Sequence, residues 1–185
     1  GQKLTPSPVK AYAVEHGLPI LQPTKVKDAA FIEALRKLQP ELIVVVAFGQ
    51  ILPPPLLKLP PYGCMNVHAS LLPRYRGAAP MRCLMAGEKI TGVTTMFMDA
   101  GLDTGDMLQK AEVPVTPDMT LAELHDALME RGAALLETTL EALSAGTLRR
   151  EAQDDAMANY APMITKETGR IDWMKSAEEL HDLVR

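Results

Sequence analysis

The sequence predicts an α/β domain with a mostly parallel sheet and one antiparallel pair of strands late in the chain. Strand and helix patterns alternate along most of its length, which is typical of parallel α/β sheets. The run from Leu42 to Phe48 is continuously apolar and rich in β-branched residues, as in a strand buried on both faces. Two apolar strands, Gly92–Met98 and Met107–Val115, are joined by a loop short enough for a hairpin.

The first part of the chain is expected to form two helices with a short strand between them. Ser7 is placed to cap a helix that Pro8 begins, and Gly17 is a natural stop before a strand from Leu18 to Leu21. Asp28 can cap the next helix. The apolar face of that helix carries Phe31, Leu35 and Leu38.

Three later helices complete the predicted elements. A short helix spans Ala78–Ala86, and another begins near Ser176. Between them, Thr120 and Glu123 have the spacing of a capping box, which opens a long helix that Gly146 ends. The buried side of this long helix carries Leu121, Leu124, Leu128, Leu135 and Leu140.

Composition and charge exclude several classes of function. The net charge of −4 argues against a protein held to nucleic acid by bulk positive charge, so any RNA contact must come from a local basic patch. No apolar run reaches the ~20 residues of a membrane span, and we expect no membrane partner. Cys64 and Cys83 lack metal-ligand spacing and are expected to be buried in a protein of a reducing compartment.

Polar residues follow one another where the short strand Met65–His68 ends. Asn66 and His68 share a face at the carboxyl end of that strand, where open α/β sheets bind ligands. Histidine titrates near working pH, and an asparagine amide can donate to a developing oxyanion. The hairpin loop, residues 99–106, supplies three carboxylates and two glycines, so it can lay one carboxylate against His68. Asp103 lies deepest in that loop and is the favoured partner.

Two interpretations of this cluster remain open on residue physics alone. Asn66 and His68 form either an active-site edge or a polar pair satisfied by backbone groups. A zinc site is disfavoured because the dense cluster of His, Cys and carboxylate ligands is lacking. No glycine-rich nucleotide loop and no Gly-x-Ser-x-Gly turn occurs. Arg74 and Arg76 either bind an anionic substrate or belong to a solvated loop.

Several stretches of the sequence resemble the folate-dependent formyltransferases. Two of them are MNVHASLLPRYRGAAP and GLDTGDML. Others follow the family in the same order: KLTPSPVKAYAVEHGLPILQP, ELIVVVAFGQILP and YAPMITKETGRIDW. The Asn-x-His-x-Ser-Leu-Leu-Pro motif is shared across that family, whereas the PSPVK and ITKETGRIDW segments are similar to its members that act on tRNA. The resemblance covers essentially the whole chain.

This resemblance implies a Rossmann-like domain that transfers a formyl group from 10-formyltetrahydrofolate to the α-amino group of methionyl initiator tRNA. It implies that Asn66, His68 and Asp103 are catalytic and that no metal takes part. The folate site would be lined by Phe48, Gly49, Gln50, Ile51, Leu52, Ser70, Leu71, Leu72, Pro73 and Leu102. The tRNA contacts expected are Lys3, Lys10, Arg74 and Arg76.

The resemblance also divides the chain into two parts. Residues 1–146 would be the catalytic domain without the family's first strand and helix, and residues 147–185 a polar linker towards an absent C-terminal β-barrel domain. We expect a monomer in the bacterial cytoplasm or an organellar matrix. Two alternatives stay open: a hydrolase that releases formate from the same folate, and a non-catalytic fragment that binds folate or RNA.

Overall fold

Residues 5–185 are described by the structure, a computed structural model, and they alternate between helix and strand. Lys3 lies outside this range. The helices are α1 (Pro8–Glu15), α2 (Ala29–Lys37), α3 (Pro54–Leu57), α4 (Ala79–Met85), α5 (Leu121–Ser144) and α6 (Ala177–Val184). The strands are β1 (Ile43–Val46), β2 (Cys64–His68), β3 (Arg76–Gly77), β4 (Ile90–Phe97), β5 (Met107–Pro114) and β6 (Tyr160–Ala161).

Four strands form the main sheet in the order β1-β2-β4-β5. β1 and β2 are parallel, and β4 is antiparallel to both of its neighbours, so three of the four strands run in one direction. β3 and β6 form a separate parallel pair. The predicted α/β class and the late antiparallel hairpin are confirmed.

Helices cover the two faces of the sheet unequally. α5 packs on β4 and β5, where Leu124 and Leu128 join Val93 in the largest core cluster. Gly132 allows this close approach, because a Cβ there would lie 3.3 Å from a methyl of Val67. Residues of α2 and α3 pack on the other face around Cys64. Both cysteines are buried, as the sequence predicts.

The start of the chain departs from the sequence prediction. Residues 18–21 form no strand, because no neighbouring strand among the described residues pairs with them. β1 is not buried on both faces, since Val44 and Val46 are exposed while Ile43 and Val45 pack towards α2. The reason is that α5 lies over β4 and β5 and not over β1. Leu38 is exposed as well, although it shares a sequence pattern with Phe31 and Leu35.

Three helix starts have the side chains that cap them, whereas Asp28 stands at the N-cap of α2 without a side-chain capping hydrogen bond. The Ser7 hydroxyl accepts from the backbone N–H of Lys10 at the start of α1. Thr120 and Glu123 form a capping box at the start of α5. Ser176 forms a second capping box with Glu179 at the start of α6. No helix within residues 5–185 is long and apolar enough to cross a membrane.

The polar segment after α5 returns to the sheet. Glu151 pairs with Met107 through two backbone hydrogen bonds, and β6 pairs with β3. α6 packs against α4. The domain boundary at residue 146 stays a prediction, but residues 151–161 contact the loops described next.

Candidate active site

β2 carries Asn66 and His68 at the carboxyl end of the parallel β1–β2 pair. Their side chains share one face because they are two residues apart on a strand. His68 is 6% exposed, and Asn66 is half-buried. β4 flanks them on the other side, with Thr94 opposite His68. The strand end is therefore rigid, and the two polar groups emerge at its rim.

The ring of His68 contacts acceptors on both of its nitrogens. Nε2 lies 2.9 Å from the carbonyl oxygen of Tyr75. Because a carbonyl oxygen only accepts, Nε2 carries a hydrogen and donates it. Nδ1 lies 3.6 Å from Oδ2 of Asp103, so this nitrogen is the one that faces a carboxylate.

Asp103 joins the strand end to the neighbouring loop. Its Oδ1 accepts from Nδ2 of Asn66 at 3.4 Å, and its Oδ2 accepts from the backbone N–H of Gly77 at 3.0 Å. The Asp103 side chain is 13% exposed. Asn66, His68 and Asp103 therefore form one connected polar cluster, in which His68 and Asp103 are largely buried.

The other two carboxylates of the hairpin loop are engaged elsewhere. Asp99 accepts from the Thr104 hydroxyl and from the backbone N–H of Gly101. Asp106 accepts from Nε of Arg150, whose guanidinium lies over the ring of Phe97. The structure thus brings Asp103 to His68, in agreement with the placement expected from its depth in the loop.

The loop after β2 is anchored by Thr94, a residue that no sequence pattern selects. The Thr94 hydroxyl donates to the carbonyl of Ser70 at 2.7 Å and accepts from the N–H of Leu72 at 3.1 Å. Ser70 and Leu72 are buried, whereas Leu71 and Pro73 are half-buried. A threonine inside a strand carries no signal of such a role.

Residues 48–52 follow the carboxyl end of β1, next to the end of β2. Phe48 and Ile51 are exposed, and Ile51 is 83% exposed. Gly49 has a positive φ, and the side-chain oxygen of Gln50 accepts from the N–H of Val26. The remaining two members of the expected folate site differ from each other in exposure. Leu52 is buried in the core, whereas Leu102 is half exposed on the hairpin loop.

Two of the basic residues expected at the tRNA site, Arg74 and Arg76, have partners within the chain. Arg74 pairs with Glu88 and lies over the ring of Tyr75, whose hydroxyl also donates to Glu88 at 2.6 Å. Burial and the contact with Glu88 raise the pKa of Tyr75. Arg76 donates from Nη2 to Asp155 at 2.8 Å. Lys10 lies on α1, half-buried. Their tRNA contacts stay predictions.

Comparison with known proteins agrees with the fold and the motifs. Residues 1–140 match the model of the formyl transferase family. The chain belongs to the formyl transferase family. Methionyl-tRNA formyltransferase of Geobacter metallireducens is 57% identical, over 100% of this chain and 60% of that protein. The chain therefore spans about 60% of the length of such curated relatives.

Solved structures of other proteins share the fold at low sequence identity. An N-formyltransferase from Helicobacter canadensis, in complex with folinic acid and dTDP-3-aminofucose, has a TM-score of 0.74 at 19% identity. That similarity covers 95% of this chain and 62% of the other. HypX from Aquifex aeolicus, in complex with tetrahydrofolic acid, has a TM-score of 0.72 at 21% identity, over 83% and 27% of the two chains.

Two polar residues beyond the range of the family model contact the site. Gln153 donates from Nε2 to the carbonyl oxygens of Asp103 and Gly105, each at 2.8 Å. The side-chain oxygen of Asn159 accepts from the backbone N–H of Tyr75. Sequence reasoning missed both residues because they lie in a polar, irregular stretch that has the pattern of a linker.

Other features of the described chain lie away from this site, among them a surface hollow lined by Thr120, Leu180 and Val184. Within residues 5–185 there is no group of three or more His, Cys, Asp or Glu side chains placed to hold a metal ion. A second surface hollow lies at the amino ends of β1 and β2, opposite the site. It is lined by Arg36, Gln39, Pro40, Glu41, Pro55, Lys58, Leu59 and Pro61.

Proposed function

We propose that this protein transfers a formyl group from 10-formyltetrahydrofolate to the α-amino group of methionyl initiator tRNA. The observation that carries the proposal is the connected cluster of Asn66, His68 and Asp103 at a strand end in a formyl transferase domain. The tRNA substrate is supported by 57% identity to a methionyl-tRNA formyltransferase across the whole chain. We further propose that the reaction takes place in the cytoplasm.

The geometry suits attack of an amine on a formyl carbon. As the new C–N bond forms, the formyl oxygen becomes a tetrahedral oxyanion. Nδ2 of Asn66 has two hydrogens and gives one to Asp103, which leaves the other for the oxyanion. A single donor of this kind contributes roughly 3 kcal/mol to the transition state.

His68 and Asp103 are placed to move the proton that passes from the amine to the folate nitrogen. The incoming amine loses a proton, and the folate nitrogen gains one when its bond to the formyl carbon breaks. Nδ1 of His68 is 3.6 Å from Asp103, longer than a hydrogen bond, so the ring can bind a substrate atom instead. Positioned acid–base groups of this type contribute ~10²–10⁴-fold in rate.

The folate would lie along the carboxyl ends of β1 and β2. Phe48, Ile51 and Leu102 are exposed apolar side chains in segments adjoining that edge, which suits a flat, largely apolar ring system. Leu71 and Pro73 are half-buried on the loop after β2 and offer further apolar surface. Bound there, the folate supplies the formyl group, and the residues of the chain orient it.

The experiment is a formyl-transfer assay on the full-length protein, with formylated methionyl-tRNA and free formate measured together. His68→Ala should abolish the transfer, whereas His125→Ala should not, because His125 is exposed on α5 and lies outside the cluster. Formate without formylated tRNA would replace the proposal with a hydrolase. The absence of both products from the unmodified protein would overturn it.

A further inference from the structure

We propose that Gln153 and Asn159 are positioning residues that set the geometry of His68 and Asp103. Both lie beyond residues 1–140, the part matched by the family model. The inference rests on the proposed function in one respect only, the reaction used to measure its effect. Its structural basis is a set of hydrogen bonds from one segment, residues 151–161, to two separate loops of the site.

Gln153 holds the loop that carries Asp103. Its single amide nitrogen donates to the carbonyls of both Asp103 and Gly105 at 2.8 Å. Asp103 has φ of +54°, a conformation that residues other than glycine rarely adopt and that surrounding contacts must support. By fixing the carbonyl of this residue, Gln153 limits the rotation that would carry its carboxylate away from His68.

Asn159 holds the residue that faces the other ring nitrogen of His68. Its side-chain oxygen accepts from the N–H of Tyr75, and its backbone oxygen accepts from the N–H of Arg76 at 3.0 Å. The carbonyl of Tyr75 in turn accepts from Nε2 of His68 at 2.9 Å. The direction of that carbonyl selects which ring nitrogen carries hydrogen, so Asn159 controls the state of His68 through Tyr75.

Arg76 connects the two positioning residues. Its Nε donates to the side-chain oxygen of Gln153 at 3.0 Å, and only 13% of its side chain is exposed. The next residue, Gly77, donates to Oδ2 of Asp103. The distance of 3.6 Å between His68 and Asp103 is therefore set by two loops that segment 151–161 holds together, and not by β2 alone.

Kinetic measurements on the full-length protein test the role of Gln153. Gln153→Met should lower kcat roughly 10- to 100-fold and leave KM for folate and tRNA close to its original value, because the reacting groups are displaced and the binding surfaces are kept. Gln153→Glu should lower kcat by a similar factor, since glutamate still accepts from Arg76 but cannot donate to Asp103 and Gly105. Full activity in Gln153→Glu would overturn the inference.

Matched variants separate positioning from a general loss of structure. Gln109→Met is the control, because Gln109 accepts from the hydroxyls of Thr138 and Thr139 on α5 and does not contact the site. The kcat of Gln109→Met should equal that of the unmodified protein. Asn159→Asp retains the acceptor for Tyr75 and should stay active, whereas Asn159→Leu should not. Equal losses in Gln153→Met and Gln109→Met, or in the two Asn159 variants, would contradict the inference.

A spectroscopic measurement tests the positioning role of Gln153 and Asn159 independently of activity. The ring nitrogen resonances of His68, assigned by their disappearance in His68→Ala, should shift in Gln153→Met and Asn159→Leu and stay unchanged in Gln109→Met. If the unmodified protein transfers no formyl group but these shifts occur, the proposed function fails and the positioning role stands. Unchanged His68 resonances in both variants would overturn the positioning role.

Discussion

The backbone N–H of Gly77 donates to Oδ2 of Asp103 at 3.0 Å, the same oxygen that faces Nδ1 of His68. A backbone donor at this position holds the carboxylate without adding a side chain that could compete for substrate. It also makes the site depend on the conformation of one glycine, which has φ of +105°.

Gly77→Ala should weaken both stability and activity. An added Cβ would lie 2.6 Å from the carbonyl oxygen of Ala161, and the backbone conformation is strained for alanine in any case. We expect the free energy of unfolding to fall by at least about 2 kcal/mol, measured by chemical denaturation.

Gly146→Ala is the control for this substitution. Gly146 also has a positive φ, +68°, but no atom lies within 4 Å of an added Cβ. Gly146→Ala should lose only the stability that the strained backbone conformation costs, about 1 kcal/mol, and should keep its activity. Equal destabilisation of the two variants would show that the contact with Ala161 is unimportant.

Asn66→Ala should retain folate binding but react slowly. The amide of Asn66 is proposed to stabilise charge that develops only in the transition state, so its removal should lower kcat about 100-fold or more. Folate affinity is measured separately by fluorescence or calorimetry. Near-normal turnover would exclude the assigned role of Asn66.

Leu124→Ala should destabilise the fold far more than Leu121→Ala. Leu124 is 0% exposed between α5 and the sheet, whereas Leu121, one turn earlier, is 36% exposed. Emptying the buried position should cost about 2–5 kcal/mol, and truncating the partly exposed one about 1 kcal/mol or less. Thermal and denaturant unfolding of both variants measures this difference.

Cys64 should make the protein less stable at alkaline pH. Burial raises the pKa of its thiol from 9.0 to about 11, so between these values the unfolded chain loses a proton that the folded chain keeps. Stability linked to this group is complete below pH 9 and is lost as the pH rises towards 11, by roughly 2 kcal/mol.

Comparison with Cys64→Ala isolates this effect from other titrating groups. The difference in unfolding free energy between the two proteins should be constant below pH 8. Between about pH 9 and 11 the original protein should lose stability relative to Cys64→Ala. A difference that stays constant across this range would mean that the thiolate is tolerated in the fold.

The sequence predicted the elements better than the contacts between them. The capping box at Thr120, the helix start near Ser176 and the strand ending at His68 depend on local residue order, and all three are confirmed. The exposure of Val44 and the absence of a strand at residues 18–21 depend on which elements cover or pair with them. Such neighbours are set by tertiary packing and leave no local signal.

The same distinction applies to the candidate site. Asn66 and His68 could be selected because strand periodicity places them on one face, and the structure brings Asp103 to them. Gln153 and Asn159 could not be selected, because a polar residue in an irregular segment looks the same whether it faces water or a carbonyl group. Their partners are distant in the sequence and become neighbours only when the chain has folded.

The contact between Tyr75 and Asn159 spans 84 residues of sequence. Closing so long a loop costs entropy that only the finished structure repays, so contacts of this kind usually form late. We expect the hairpin of β4 and β5 to be protected early in refolding, with the amides of Tyr75 and Gly77 protected last, as pulsed hydrogen exchange would show. A partly folded chain would thus contain the sheet but no assembled site. The chain would be inactive until residues up to 161 have folded.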